Sequence, residues 1–180
     1  VEGESAPFML WNRNKRGLKL DLKNEDDLKV FWDLVDGADV VLENFKVGGL
    51  ASYGLDYASL RVVNPKLVYC SITGFGQDGP YAERAGYDFL IQGMGGMMSV
   101  TGRANGEAGA GPQKVGVALV DVLSGMYAAV AIQAALVHRD LNGYRAGDGQ
   151  HIDLALLDVQ VACLANQAMN YLVSGKVPGR

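Results

Sequence analysis

Asp121 is the side chain in this sequence best placed to do covalent chemistry. It follows the apolar stretch 117–120 and precedes a long helical pattern, so it would serve well as the N-cap of that helix. The same position suits a nucleophile, because helix N–H groups stabilise and orient an ionised carboxylate. An ionised carboxylate can attack an activated carbonyl and form a mixed anhydride. The residues alone favour the cap, and Asp158, on the last predicted helix, is the rival carboxylate.

Other catalytic patterns are missing from the sequence. It has no P-loop and no Gly-x-Ser-x-Gly elbow, and the glycines of 93–96 lie in a helical stretch, which argues against a dinucleotide fingerprint. His138 ends the long helix and His151 opens a strand, so both are interpreted as structural. Cys70 and Cys163 lie in apolar segments and are predicted to be reduced, buried core residues. Two Cys and two His form no metal-binding cluster, so we expect no metal site.

The composition is that of a soluble globular protein. The 180 residues suffice for one domain with its own core, and 49% of them are hydrophobic and 20% charged. Sixteen basic residues against 20 acidic ones give a net charge of −4, which argues against a nucleic-acid partner. We expect no transmembrane helix, and the acidic start over 1–5 lacks the basic and apolar regions of a signal peptide. These features predict a cytoplasmic protein with no membrane partner.

The hydrophobic pattern in the first half of the chain alternates between strands and helices. It predicts strands over 17–23, 39–45 and 67–72, with helices from the N-cap Asn24 to Gly37 and over 57–63. Because the connections are short, this alternation predicts a parallel α/β sheet.

The second half of the chain is predicted as helices around one further strand. The expected elements are a helix over 86–98 interrupted by glycines, a Gly-rich loop over 103–114, a long helix over 122–139, a strand over 149–154, and a helix through Leu172 that ends near Gly175.

Two loops follow predicted parallel strands and carry polar and aromatic side chains. They are Glu43-Asn44-Phe45-Lys46 and Thr73-Gly74-Phe75-Gly76. Open parallel sheets bind ligands outside the carboxyl ends of their strands, so these loops are candidate ligand contacts. An ordinary polar loop is the equally simple alternative.

Five stretches stand out when they are read together in order along essentially the whole chain. They are 12–16, 42–46, 69–80, 84–88 and 117–121, and the third of them, Tyr-Cys-Ser-Ile-Thr-Gly-Phe-Gly-Gln-Asp-Gly-Pro, is long and specific. Together they closely resemble the class III CoA-transferases, the CaiB/BaiF family. The resemblance implies an α/β fold with a Rossmann-like parallel sheet flanked by helices, as in the large domain of that family.

The same resemblance implies roles for particular residues. The family places its nucleophilic Asp before a helix with a Gly-Met or Gly-Leu pair, which here assigns Asp121. Lys46 would face a CoA phosphate as a point charge, while Ser52 stands near a position where members often have Arg. Coenzyme A and acyl-CoA are implied as substrates, with no permanently bound cofactor. The implied CoA contacts are Leu20, Asp21, Leu22, Lys23, Asn44, Phe45, Lys46, Arg84, Ala85, Gly86 and Tyr87.

The implied reaction moves CoA from an acyl-CoA to a carboxylic acid through an aspartyl anhydride and an aspartyl-CoA thioester. An Asp with a pKa of about 4 is ionised at pH 7, so the nucleophile needs no general base. The same fold hosts α-methylacyl-CoA racemases, which pair the matching Asp with a His. That His would fall at Tyr87, so Tyr87 favours transfer over racemisation.

Family chains are considerably longer than this one. They begin with an extra strand and turn, continue into a smaller domain with a Gly-rich loop over the site, and interlock as homodimers. The resemblance therefore implies that residues 1–180 are an internal fragment, a partial CoA-binding large domain. An inactive structural fragment or a weak CoA binder is the alternative. The segment 161–172 is similar to members that handle succinyl-CoA and dicarboxylic acids.

Overall fold

The structure is a computed structural model that describes residues 3–141 and 148–180. Val1 and Glu2, the first residues of the acidic stretch 1–5, lie outside the described residues. The chain divides into two compact units, Val1–Leu34 and Val35–Arg180. The second unit contains the β-sheet.

The first two helices begin at polar caps. Helix α1, Ala6–Asn12, is capped by Ser5, whose hydroxyl accepts a backbone N–H at 3.2 Å. Helix α2, Glu25–Asp36, starts after Asn24, whose side-chain oxygen accepts two backbone N–H groups at 2.9 and 3.1 Å. The sequence predicts α2 with this cap, and the prediction is confirmed. Helix α1 was not predicted.

The predicted strand over 17–23 is wrong. These residues run without regular structure into a turn and belong to no strand. Alternating apolar and polar residues form a strand only where a neighbouring strand completes the ladder of backbone hydrogen bonds. Here side chains take up backbone groups instead: the Asp27 carboxylate accepts the Asp21 N–H at 2.7 Å, and the Asp21 carboxylate accepts the Lys23 N–H at 3.0 Å.

Three parallel strands form the sheet of the second unit, in the order β1-β2-β3. Leu42, Cys70 and Ile152 are aligned across it. All three were predicted, with ends that differ by at most two residues, and the α/β class with a parallel sheet is confirmed. The strands are β1, Val40–Glu43, β2, Val68–Thr73, and β3, His151–Ala155, and helix α3, Tyr57–Val63, joins β1 to β2 as predicted.

Helix α4 is shorter than the pattern predicts. It spans Asp88–Met94 and gives way to a 3₁₀ turn over Met97–Val100. Gly96 separates them with a φ of 89°, a conformation open to glycine and costly for residues with a Cβ.

Helix α5, Leu119–Asp140, covers one face of the sheet. Ala128 of this helix shares a core cluster with Cys70 and Leu154. By length and composition alone, α5 is long and apolar enough to cross a membrane, a test that the core helix of a soluble protein also passes, and 22% of its most apolar window is buried. Packing of α5 against β2 and β3 buries part of this apolar surface.

The predicted final helix is two helices. Helix α6, Leu156–Ala162, is followed by α7, Asn166–Ser174, and Ala165 between them has a φ of 44°. The chain leaves α7 at Gly175, with a φ of 66°, so the predicted end is confirmed.

Both cysteines are free thiols. Cys70 is fully buried in the core as predicted, but Cys163 is only partly buried, which corrects that prediction. Burial, followed by the charges of Glu43 and Asp153, raises the pKa of the Cys70 thiol to about 11. Burial also raises the pKa of Cys163. The thiol of Cys70 is therefore protonated at neutral pH.

The backbone at Gly74, directly after β2, passes so close to Gly86 that a Cβ on Gly74 would lie 2.5 Å from the Gly86 Cα. We expect Gly74→Ala to lower the free energy of unfolding by about 2 kcal/mol, because overpacking forces the two segments apart. Gly37→Ala is the matched control, since open space surrounds Gly37. Urea unfolding measures both, and a Gly74→Ala protein as stable as the parent would contradict the prediction.

Candidate active site

The carboxyl ends of the three strands open into one cavity of about 460 Å³. The loops after β1 and β2, which the sequence singles out, both contribute to its wall, and Leu156 follows β3 there. The structure thus brings together every predicted site residue of the second unit: Asn44, Phe45, Lys46, Arg84, Ala85, Gly86, Tyr87 and Asp121.

The loop after β1 forms one wall of the cavity. Glu43 ends the strand and turns the chain, because its carboxylate accepts the Phe45 N–H at 2.8 Å. The Gly49 N–H donates to the Lys46 carbonyl at 2.8 Å and closes the next turn. Asn44, Phe45 and Lys46 are all exposed, so their side chains are available to a ligand.

Residues 84–87 form another part of the cavity wall. The close approach of Gly86 to Gly74 brings this segment against the end of β2. The Arg84 guanidinium lies 4.2 Å from the ring centroid of Tyr81, which in turn contacts Phe75 edge-on at 5.4 Å. Stacking on an aromatic ring holds a guanidinium in place without using its hydrogen-bond donors. Arg84 therefore keeps its donors for an anionic ligand.

Asp121 is not the N-cap of α5, which corrects the capping interpretation. Ala118 occupies the cap position without a side-chain hydrogen bond, and Asp121 lies inside the first turn. The capping carboxylate is that of Asp88, which accepts the Val120 N–H at 2.8 Å. Asp121 therefore does not cap α5, and its side chain is exposed at the cavity wall.

Two opposing effects act on the charge of Asp121. Partial burial, and then the neighbouring Asp88 carboxylate, raise its pKa above the ordinary value, while Lys114 lowers it. Because the residue is in the first turn of α5, the positive end of the helix dipole also favours its ionised form. A carboxylate that is ionised but incompletely stabilised is a better nucleophile than one bound in an ion pair.

Sequence reasoning missed the residues that support Asp121. Asp88 lies in the matched stretch 84–88, but the sequence predicted no function for it. Lys114 was noted only as the last residue of the predicted Gly-rich loop over 103–114. Ser124 lies one turn beyond Asp121 on the cavity wall, and its buried hydroxyl has no hydrogen-bond partner among the described residues. No local pattern marks any of the three, and the contacts of Asp88 with Val120 and Lys114 arise only through the tertiary fold.

The structure does not place every candidate at this cavity. The predicted CoA contacts Leu20, Asp21, Leu22 and Lys23 belong to the N-terminal unit, and their role stays a prediction. Asp158 is exposed on α6 and does not line the cavity.

Each of the two histidines lies within hydrogen-bond distance of one polar side chain. The His138 Nδ1 lies 2.9 Å from the Gln150 Nε2, and the His151 Nε2 lies 3.0 Å from the Ser71 Oγ. His151 lines a second cavity of about 360 Å³. Across residues 3–141 and 148–180, no group of three or more His, Cys, Asp and Glu could hold a metal ion.

This fold and this site define a parallel α/β protein with an exposed carboxylate, Asp121, and two cations, Lys46 and Arg84, around one cavity at the strand ends. The chain belongs to CoA-transferase family III, whose family model matches residues 1–180. The predicted family is therefore confirmed.

Several relatives carry this family's activities in their names. The chain is 59% identical over 183 residues to the succinate–glutarate CoA-transferase of Agrobacterium fabrum, covering 100% of this chain and 44% of that protein. It is 40% identical over 176 residues to the human succinyl-CoA:glutarate CoA-transferase, covering 98% and 38%.

A crystal structure of a CaiB/BaiF family protein from Brucella suis matches the fold with a TM-score of 0.92 and 56% identity, covering 100% of this chain and 46% of that one. The chain therefore spans less than half the length of the relatives it matches.

The raised pKa of Asp121 has a consequence for stability. Since the folded protein disfavours the ionised form, stability is lost as the pH rises from the ordinary pKa of 3.8 through the higher folded pKa. We expect Asp121→Asn to unfold at a slightly higher urea concentration than the parent at pH 7, with the gap closing toward pH 3.8. Asp158→Asn controls for the loss of one negative charge. A less stable Asp121→Asn at pH 7 would refute this expectation.

Proposed function

We propose that this protein transfers CoA from an acyl-CoA to a carboxylic acid, with Asp121 as the nucleophile. The observation that supports this most is the convergence of Asp121, Lys46 and Arg84 on one cavity at the strand ends. Membership of CoA-transferase family III supports the reaction class. Since the chain spans 44% of its Agrobacterium fabrum relative, the substrates and the activity of the whole protein belong to this proposal.

The reaction proceeds through covalent intermediates on Asp121. Its carboxylate attacks the thioester carbonyl, the C–S bond breaks, and an aspartyl–acyl anhydride and CoA thiolate form. The thiolate attacks the aspartyl carbonyl, which releases the donor acid and leaves an aspartyl-CoA thioester. The acceptor carboxylate attacks this thioester and expels the thiolate, which then attacks the acceptor carbonyl and frees Asp121. No step transfers a proton, which suits a cavity with no histidine among the described residues of its wall.

The surroundings of Asp121 can favour these steps electrostatically. The N-terminal turn of α5 places positive backbone dipoles beside the developing oxyanions. Lys46 and Arg84 would bind CoA phosphates, Lys46 as a point charge and Arg84 as a planar fork. Tyr87, 72% exposed on the cavity wall, offers a phenol where a racemase would need an imidazole base, which supports transfer over racemisation.

The substrate pair we propose is succinyl-CoA and a dicarboxylic acid. The names of the relatives from Agrobacterium fabrum and human, succinate–glutarate and succinyl-CoA:glutarate CoA-transferase, support this class. The proposal is completed by a cytoplasmic location, as the sequence features predict, and by a homodimer, as the family resemblance implies.

Hydroxylamine trapping tests the covalent step. Incubation with succinyl-CoA and hydroxylamine should convert Asp121 to a hydroxamate, because anhydrides and thioesters of a carboxylate react with this nucleophile. Peptide mass spectrometry should find the hydroxamate at Asp121 in the parent and in Asp158→Asn, and none in Asp121→Asn. Modification at Asp158, or no modification in the parent, would speak against the proposed mechanism.

Calorimetry with CoA tests the phosphate contact. Lys46→Gln should weaken CoA binding about fivefold, or ~1 kcal/mol, as expected for one exposed charge pair. The loss should shrink as salt is added, because the pair is screened. Lys66→Gln is the matched control, since Lys66 is exposed and lines neither cavity. An equal loss in both variants would show that Lys46 contributes only to net charge.

A further inference from the structure

A network of side chains joins α4 to the segment that leads into α5. Asp88 is 6% exposed, and its carboxylate accepts the Val120 N–H at 2.8 Å and the Gln92 amide at 2.8 Å. Gln92 is fully buried, and its side-chain oxygen accepts the Val115 N–H at 2.9 Å. Both ends of the segment 115–120 are therefore tied to α4.

Lys114 adds a second set of contacts to the same segment. Its Nζ donates to the Val115 carbonyl at 2.7 Å and to the Val117 carbonyl at 3.1 Å, and it lies 3.6 Å from the Asp88 carboxylate. Two of the three ammonium donors therefore bind backbone carbonyls, and the Asp88 carboxylate is close enough for an ion pair with the same group. The side chain is 31% exposed, so a lysine that would ordinarily extend into water is held against its own backbone.

We propose that Lys114 is a positioning residue for the reaction at Asp121. Asp121 directly follows the segment 115–120, so the placement of that segment sets the placement of the carboxylate. The preceding stretch contains no helix or strand, and Gly102, Gly106, Gly109 and Gly111 in it all have positive φ. This inference rests on the proposed function, in which Asp121 is the nucleophile.

Lys114 also sets the charge balance around the nucleophile. Asp88 faces Asp121 from α4, and the other charged groups on the cavity wall are Lys46, Glu83 and Arg84. Because Lys114 is paired with Asp88, its removal leaves the Asp88 carboxylate uncompensated next to Asp121. A neighbouring like charge favours the protonated, unreactive form of the nucleophile.

Two lysine variants and a control test this role. In Lys114→Met, the rate of hydroxamate formation at Asp121 should fall about tenfold, as expected for a displaced nucleophile, with the KM for succinyl-CoA within about twofold. In a plot of the rate of hydroxamate formation against pH, the acidic limb of Lys114→Met should move to higher pH. Lys114→Arg keeps the charge and should restore the acidic limb, while Lys66→Met should match the parent.

Amide hydrogen exchange gives a readout that is independent of catalysis. The Val115 and Val120 amides should exchange faster in Lys114→Met than in the parent and in Lys66→Met. An unchanged acidic limb together with unchanged exchange would overturn the inference. No hydroxamate in the parent would overturn the proposed function, and the exchange rates would still decide whether Lys114 holds the segment. If Lys114→Met does not fold, Lys114→Gln removes the charge while keeping a donor, and its acidic limb decides.

Discussion

The hydrogen bond from the Val120 N–H to the buried Asp88 carboxylate, at 2.8 Å, determines where α5 begins. The first N–H groups of any helix lack partners within the helix and need an acceptor from elsewhere. Here the acceptor comes from α4, so the start of α5 is a product of tertiary structure and not of its own sequence. Asp121, the nearest local candidate for a cap, is thereby left free to face the cavity.

The parallel sheet supplies the rest of the arrangement. Because β1, β2 and β3 run in the same direction, the residues that follow them meet at one edge, and the long helix α5 delivers its first turn to the same place. The contact between Gly74 and Gly86 then brings the segment with Arg84 against the end of β2. A cation from each of two loops and a carboxylate from a helix reach one cavity without any of them being close in sequence.

The three strands and α5 could be predicted from the sequence, α5 from apolar residues that share one helical face and the strand over 39–45 from a short continuous apolar run. The strand over 17–23 could not be judged, because an alternating pattern does not reveal whether a neighbouring strand exists. The cap of α5 was assigned to the wrong carboxylate because its partner lies 32 residues earlier in the chain. The loops at the strand ends followed from the parallel topology, and the role of Asp121 came from the family resemblance. Lys114 and Gln92 gave no signal, since their partners are mostly backbone atoms that any sequence provides.

The burial of the two cysteine thiols limits the side reactions open to an activated acyl group. Anhydrides and thioesters of the kind proposed here are intercepted readily by any accessible thiolate, which would divert the acyl group by transthioesterification. Cys70 is fully buried with its pKa raised to about 11, and burial raises the pKa of Cys163 as well. Both side chains are therefore poor competitors at neutral pH. Within residues 1–180, cysteine side chains therefore compete little with the CoA thiolate for the reactive carbonyl.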